Sequence, residues 1–268
     1  MVDTYPHPSL RFVAFEVRFP PVPDFSDEPS LRALHDGLRH DYPYRESFSV
    51  VTSVEMDPGG VRQDVSARNR FVSRTRTSAI TLAEDLLIFE AGSYDSFEVF
   101  TATVKRALTA VAAVGQIAGF ERVGIRYVNE IRVDPPPDAP RGWKSYIVPE
   151  LVSPVCLLRD SAPEVFEGAL IYPRGGDLHV VFRFGARVGR MVNPTGPLRV
   201  ADKGAGPYFL LDIDSYWEHL PEVLPDFEVD AILDCSVRLH EAAQDVFEAS
   251  ITDRLRTEVF GADGNITR

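Results

Sequence analysis

Two aspartates that share one face of a predicted strand are the first residues of this chain that could do chemistry. Asp212 and Asp214 alternate with apolar residues in the segment Leu-Leu-Asp-Ile-Asp, so both carboxylates project to the same side. Paired carboxylates can ligate a divalent metal, but such sites draw on further oxygen ligands that this segment does not supply. The alternative is that they cap the strand end or pair with arginines, and we predict no metal site.

His240 is a second candidate, because the pKa of histidine lies near neutrality and suits a general base. It begins the polar side of a predicted C-terminal helix, close to Glu241 and Asp245. The sequence has neither a Gly-x-Ser-x-Gly motif nor a Cys–His signature, and it lacks a glycine-rich phosphate loop, a dinucleotide fingerprint and zinc-ligand spacing. We therefore predict no catalytic residue and no cofactor, and we favour a hydrogen-bonding role for His240.

Asn129 stands on the apolar face of a predicted strand, together with Ile125, Tyr127 and Ile131, so its burial is expected. A buried amide without a hydrogen-bonding partner costs about 1–3 kcal/mol. Asn129 therefore either ties the strand end to the proline-rich loop that follows or contacts a ligand. Arg126, from the same strand, is a further candidate for ligand contact.

A basic stripe is predicted along one strand that carries Arg68, Arg70, Arg74 and Arg76. These residues are separated by two or four positions, so all four could project from one face. The stripe is conspicuous because the formal net charge of the chain is −12. It is either a solvated strand face paired with acidic neighbours or a site for an anion or an acidic partner.

Two segments position these residues, and each reads as a strand, a proline stop, an antiparallel meander and a long helix. The phrase FEVRFPPVPD at 15–24 returns as NEIRVDPPPD at 129–138, and Ser-Tyr precedes each closing helix, at 93–94 and 215–216. Helical spacing predicts the closing helices near 96–118 and 229–259. The sequence thus predicts an α+β fold of two similar halves, residues 1–119 and 120–268, each an antiparallel sheet closed by a long helix. We expect a duplication with a pseudo-twofold axis, as two domains or one compact unit.

Composition narrows the possible partners. With 44% hydrophobic and 25% charged residues, the chain is typical of a soluble globular protein. No apolar run approaches the roughly 20 residues of a membrane-spanning helix, and the N-terminus lacks the pattern of a secretory signal, so we expect a cytoplasmic protein without a membrane partner. The acidic charge disfavours nucleic-acid binding over a wide surface and favours a basic protein partner.

Three further segments carry a resemblance to a known family. They are GIRYVNEI at 124–131, LLDID at 210–214 and LHEAAQDVFEASIT at 239–252, after an opening Arg-Phe strand that ends in Pro-Pro. In this order they resemble a sporadically distributed bacterial family of uncharacterised proteins of about this length, over nearly the whole chain. That family has no established activity, cofactor or catalytic residue, so the resemblance assigns none to this chain. The patchy distribution of the family implies an accessory gene, such as a toxin–antitoxin or phage-defence component.

Two functional hypotheses follow. The favoured one is a non-enzymatic cytoplasmic protein-binding module with a basic partner, as an antitoxin, immunity or phage-defence accessory protein would need. The alternative is a small-ligand sensor or enzyme whose pocket lies between the two halves, because ligand pockets favour such junctions. That pocket would be formed by Asn129, Arg126, Asp212, Asp214 and His240.

Overall fold

A single antiparallel sheet of nine strands organises the protein. The structure, a computed structural model, describes residues 5–57, 60–158, 161, 163, 165–192, 196–219 and 223–262. The strands lie in the order β2-β3-β4-β5-β1-β6-β9-β8-β7. Their bounds are β1 (Leu10–Arg18), β2 (Tyr44–Asp57), β3 (Gly60–Val72), β4 (Ser78–Ala83), β5 (Leu86–Ala91), β6 (Arg122–Ile131), β7 (Phe166–Gly175), β8 (Leu178–Gly189) and β9 (Gly206–Glu218).

The helices pack on one side of this sheet, which we call the helix face. They are α1 (Glu28–Leu38), α2 (Phe97–Ala112), α3 (Pro149–Val152) and α4 (Val229–Ser250), followed by a π-helical turn at Leu255–Val259. Helix α1 contacts β3, α2 contacts β5, and α4 contacts β6, β8 and β9. Because α2 also contacts both α1 and α4, the three longer helices form one layer over the sheet.

The alternation of strand β1 explains why one face attracts the helices. Val13, Phe15 and Val17 are fully buried under the helix layer, whereas Glu16 and Arg18 point to the opposite face of the sheet. Side chains of a strand project alternately to the two sides, so the period-2 pattern assigns every residue to a face. The same parity holds in β6, where Val123 and Ile125 are buried beneath the helices.

Helix α4 is shorter than its apolar pattern predicts. Leu239 and Ala243 repeat at helical spacing along its buried face, and the pattern continues to Leu255. The helix nevertheless ends at Ser250, because Ile251 turns into extended backbone and forms a β-bridge with Ile147. Tertiary pairing therefore overrides helical propensity here, and the chain continues as the π-helical turn.

The prediction of two similar halves about a pseudo-twofold axis, each an antiparallel sheet closed by a long helix, is wrong. Strand β1 hydrogen-bonds to β5 along one edge and to β6 along the other, so the sheet runs without a break from β2 to β7. The longest helix among the described residues is α4, with 22 residues, whereas α2 has 16. The predicted domain boundary at 119/120 stays a prediction.

The prediction of two halves failed because a local sequence pattern specifies the faces of a strand and not its partners. Alternation fixes which side of a strand is apolar, but it does not fix which strand pairs with which.

Helix α2 also ends before the predicted residue 118. Beyond Ala112 the chain passes Phe25 so closely at Gly115 that a Cβ atom there would lie 2.3 Å from the Phe25 ring.

Candidate functional site

The predicted pocket residues divide between the two faces of the sheet. Asn129 and His240 lie on the helix face and line one cavity. Arg126, Asp212 and Asp214 project from the opposite face, where Arg126 lies across from Asp214 in the strand register. The predicted convergence of all five residues is therefore wrong, because residues 126 and 129 of one strand point to opposite sides.

The cavity on the helix face, which we call the aromatic pocket, lies between α4, β6 and the segment 5–10. It encloses about 110 Å³. Tyr94, Tyr127 and Phe247 give it aromatic walls, and Leu10 and Ile213 add apolar surface. The polar residues that line it are Ser9, Asn129, His240, Gln244 and Glu248.

Tyr127 and His240 form a hydrogen-bonded pair in the wall of the aromatic pocket. The Tyr127 hydroxyl lies 2.8 Å from His240 Nδ1. The imidazole also stacks on Phe97, with ring centroids 4.0 Å apart and an interplanar angle of 7°. Both contacts fix the orientation of the ring, so one edge of the pocket carries a positioned polar pair. This agrees with the hydrogen-bonding role favoured for His240.

Asn129 is buried as expected, with 5% of its surface exposed. Its Oδ1 accepts a hydrogen bond from Ser9 Oγ at 3.1 Å, and its Nδ2 donates to the Leu211 carbonyl at 3.4 Å. The amide therefore ties β6 to the N-terminal segment and to β9, and not to the proline-rich loop that follows β6. It also lines the aromatic pocket, so structural tie and ligand contact coexist at this residue.

The far end of the aromatic pocket holds a charge that is neutralised within the protein. Glu248 accepts a hydrogen bond from the Tyr5 hydroxyl at 2.7 Å and from Arg256 Nε at 2.9 Å. Burial, followed by the hydrogen bond to Glu248, raises the pKa of Tyr5. Tyr5 is consequently a neutral phenol at physiological pH, and the Glu248–Arg256 pair contributes no net charge to the pocket.

On the opposite face, Asp212 and Asp214 pair with arginines, as one of the two interpretations predicted. Arg126 donates to Asp212 from Nε and Nη2, both at 2.7 Å. Arg122 Nη2 lies 3.9 Å from Asp214 Oδ2. Among the described residues, no group of three or more His, Cys, Asp or Glu side chains is arranged to hold a metal ion.

Asp214 is the aspartate on this face whose pKa is displaced by its surroundings. Burial is the main cause that raises the pKa of Asp214, whereas Arg122 opposes it. Between about pH 4, the ordinary range of aspartate, and its raised folded pKa, Asp214 is protonated in the folded protein but ionised in the unfolded chain. The free energy of unfolding therefore falls as the pH rises through the folded pKa.

We expect Asp214→Asn to raise stability at pH 7 and to lose this advantage as the pH falls below about 4, because protonated Asp214 is also neutral. Asp212→Asn is the matched comparison on the same strand. It should lower stability at pH 7, since an amide cannot replace the carboxylate that accepts two bonds from Arg126. Urea unfolding of both variants between pH 3 and 8 measures this, and a loss of stability in Asp214→Asn at pH 7 would contradict the assignment.

The predicted arginine stripe does not exist as one strand face. Strand β3 ends at Val72, so Arg70 lies in it, whereas Arg74 and Arg76 lie in the turn that follows. Arg70 Nη2 lies 3.4 Å from Glu90, and Arg76 Nη1 lies 2.9 Å from Glu46. The backbone of Arg76 adopts a positive φ of 59°, which breaks the alternation. These contacts fit the interpretation of arginines paired with acidic neighbours.

Sequence reasoning missed Tyr5, Tyr94 and Glu248 as pocket residues. One signal was present, because His240, Gln244 and Glu248 recur every four residues and so share one side of α4. A polar stripe on the side of a helix that also carries Leu239 and Ala243 indicates a polar cavity beneath it. Tyr5 gave no such signal, since nothing local to it shows that the N-terminal segment returns to α4.

Comparison with known proteins does not assign the chain to a family. No protein-family model matches the chain, and no curated protein gives a significant match. The family resemblance of the sequence therefore stays a prediction. In the described part of the chain, none of the helices has both the length and the apolar character needed to cross a membrane.

Proposed function

We propose that the protein binds a small, neutral organic molecule in the aromatic pocket. The observation that carries this proposal is the half-open cavity whose aromatic walls meet a few positioned polar groups beneath α4. Ligand pockets combine predominantly apolar linings with a small number of polar groups that fix orientation. The proposal follows the small-ligand alternative predicted from the sequence, with Asn129 and His240 retained as contacts.

The chemistry of the lining describes the ligand. Tyr94, Tyr127 and Phe247 offer ring faces and edges, which suit a planar aromatic group. The Tyr127–His240 pair and the Asn129 amide offer hydrogen-bonding groups at one side. In the described lining the Glu248 carboxylate is paired with Arg256, so this pair favours a neutral ligand over an ion. The ligand is therefore a neutral ring compound with one or two polar substituents.

We expect indole, as a neutral planar probe with one donor, to bind to the purified protein. Ala243 lines the pocket from α4 and is 2% exposed, so Ala243→Phe fills the cavity and should weaken indole binding at least tenfold. Ala231→Phe, on the exposed side of the same helix, should bind indole as the original protein does. Isothermal titration calorimetry measures the affinities, and circular dichroism verifies that both variants fold.

Equal indole affinity in Ala243→Phe and Ala231→Phe would overturn the proposed site. Native mass spectrometry of protein purified from its own host gives an independent test. It should detect a bound small molecule in the original protein, and the occupancy should fall in Ala243→Phe. Ala231→Phe should retain the bound molecule.

A protein partner is the second candidate, and the edge strand β7 favours it. Leu170, Ile171 and Tyr172 are exposed in the middle of β7, and the exposed fraction of Ile171 is 65%. An edge strand presents unpaired backbone groups to which an extended segment of another protein can add as a further strand. The net charge of −12 favours a basic segment. A role as antitoxin, immunity or phage-defence protein stays a prediction of the family resemblance.

This second candidate predicts that a lysine in β7 abolishes partner binding, since a charged side chain on an edge strand blocks strand addition. Ile171→Lys should lose a basic protein that the original protein retains. Val99→Lys should retain it, because Val99 is comparably exposed but lies on α2. Quantitative co-purification from the host compares the three proteins, and equal retention by both variants would exclude β7 as the interface.

A further inference from the structure

A second cavity, with a different chemistry, lies where β1 begins and β6 ends. It encloses about 410 Å³, and the segment 6–9, Val259 and Phe260 close its sides. Among the described residues, four basic side chains and one carboxylate line it, namely Arg11, Arg132, Lys203, His7 and Glu130. We call it the cationic pocket. It shares only Pro8 and Ser9 with the aromatic pocket.

An irregularity in β1 brings Arg11 into the cationic pocket. The pairing between β1 and β6 shifts register between Leu10 and Phe12, so Leu10 stays opposite Asn129 on the helix face. The extra residue, Arg11, turns to the opposite side of the sheet, toward Glu130. Irregularities of this kind commonly re-aim a side chain near a functional site. The guanidinium of Arg11 then lies 3.3 Å from Glu130 Oε2.

Arg132 is held rigidly at the back of the cationic pocket. Its Nε donates to Glu130 Oε1 at 2.7 Å. Its Nη2 donates to the Gly189 and Gly204 carbonyls at 3.1 and 2.9 Å. A guanidinium fixed by four acceptor contacts, including the ion pair with Glu130, loses little side-chain entropy when a further partner arrives.

The charges of the cationic pocket do not cancel. Among the described residues that line it, Glu130 is the single carboxylate, against Arg11, Arg132 and Lys203. Asp202, next to Lys203 in sequence, is paired with Arg190 and does not neutralise the pocket. Within the described part of the chain two positive charges of this pocket thus remain unmatched, although the formal net charge of the protein is −12. Such a local excess attracts an anion against the overall field.

Arg11 is held beside the pocket mainly by charge. Its Nε is buried and faces Glu130 Oε2 at 3.3 Å, an ion pair without full hydrogen-bond geometry. Glu130 thus positions Arg11 as well as Arg132.

We propose that the cationic pocket binds a small oxyanion, the phosphate or carboxylate group of a metabolite, between Arg11 and Lys203 with Arg132 behind it. Guanidinium groups match the paired oxygens of such anions, and an ammonium group adds a mobile point charge. Glu130 positions both arginines and does not contact the anion. The site requires no occupant of the aromatic pocket.

Calorimetric titration of the full chain with inorganic phosphate, and separately with acetate, at constant ionic strength in chloride tests the proposal. We expect at least one of the two anions to bind with a stoichiometry near one. The stronger of them identifies the anionic group. Lys203→Ala should weaken that binding at least fivefold, whereas Lys144→Ala, which removes an exposed lysine from the turn at 140–145, should leave it unchanged.

Lys203 is exposed and lies outside the strands and helices, so its removal leaves the fold intact. Arg11→Gln serves as a second variant, which keeps a donor but removes the charge, and it should also weaken anion binding. The proposal is overturned if neither anion binds above the chloride background. It is equally overturned if Lys203→Ala and Lys144→Ala bind the anion alike.

Discussion

Replacement of Glu130 by alanine is expected to destabilise the protein by about 3 kcal/mol or more, the largest effect that the structure predicts for a single charged residue. Glu130 is 2% exposed and lies between Arg11 and Arg132. Its removal leaves two poorly solvated guanidinium groups without a counter-charge. The cost of burying unpaired charge exceeds what the ion pairs themselves contribute, so the loss is larger than for a surface pair.

Urea unfolding at pH 7 measures this loss, and two further variants isolate its cause. Glu130→Gln keeps the shape of the side chain and one acceptor oxygen, so its free energy of unfolding should lie between those of the original protein and of Glu130→Ala. Glu121→Ala removes an exposed carboxylate just before the same strand and should change stability by less than about 0.5 kcal/mol. A Glu130→Ala protein as stable as Glu121→Ala would mean that the two arginines are well solvated.

Gly185→Ala should destabilise the protein by about 1–3 kcal/mol, although it adds a single methyl group. Gly185 lies in β8 opposite Glu167 of β7. A Cβ atom at this position would lie 2.2 Å from the Phe166 carbonyl oxygen and 3.1 Å from the Glu167 Cα atom. Both are backbone atoms, which cannot rotate away as a side chain could. Strand β7 must therefore shift relative to β8, and its hydrogen bonds to β8 must distort.

Gly37→Ala is the matched control, and it is expected to raise the stability that Gly185→Ala lowers. Gly37 lies in α1, and no atom lies within 4 Å of a Cβ atom built there. Alanine in an exposed helix should therefore stabilise by about 0.5–1 kcal/mol through the lower conformational entropy of the unfolded chain. Thermal unfolding of both variants checks the pair, and a neutral Gly185→Ala would show that β7 accommodates the methyl group freely.

Much of the local structure could be predicted from the sequence. The alternation of apolar residues in β6 predicted its buried face. The sequence Arg174-Gly175-Gly176-Asp177 is typical of a turn between two strands, here β7 and β8. Positive φ angles at Gly175, Gly176 and Asp177 confirm that turn. The arrangement of strands could not be predicted, because pairing depends on contacts between residues far apart in sequence.

The candidate site shows the same division. Burial of Asn129 followed from its place among apolar residues, and pairing of Asp212 and Asp214 with arginines was one of two interpretations. The prediction of this pocket was wrong because it combined Arg126 with Asn129, which project to opposite faces of the same strand. Strict alternation already excludes such a pocket. The contribution of residues 5–9 could not be foreseen, since it depends on the return of the N-terminus to α4 and Phe260.

The segment formed by Pro8 and Ser9 has a consequence for any pair of occupants. Because these two residues line both cavities, a molecule that displaces them in one cavity reshapes the wall of the other. Thermodynamic reciprocity then requires that each occupant change the affinity of the other by the same factor. Ser9 also donates a hydrogen bond to Asn129, so a displacement of this segment would disturb strand β6 as well.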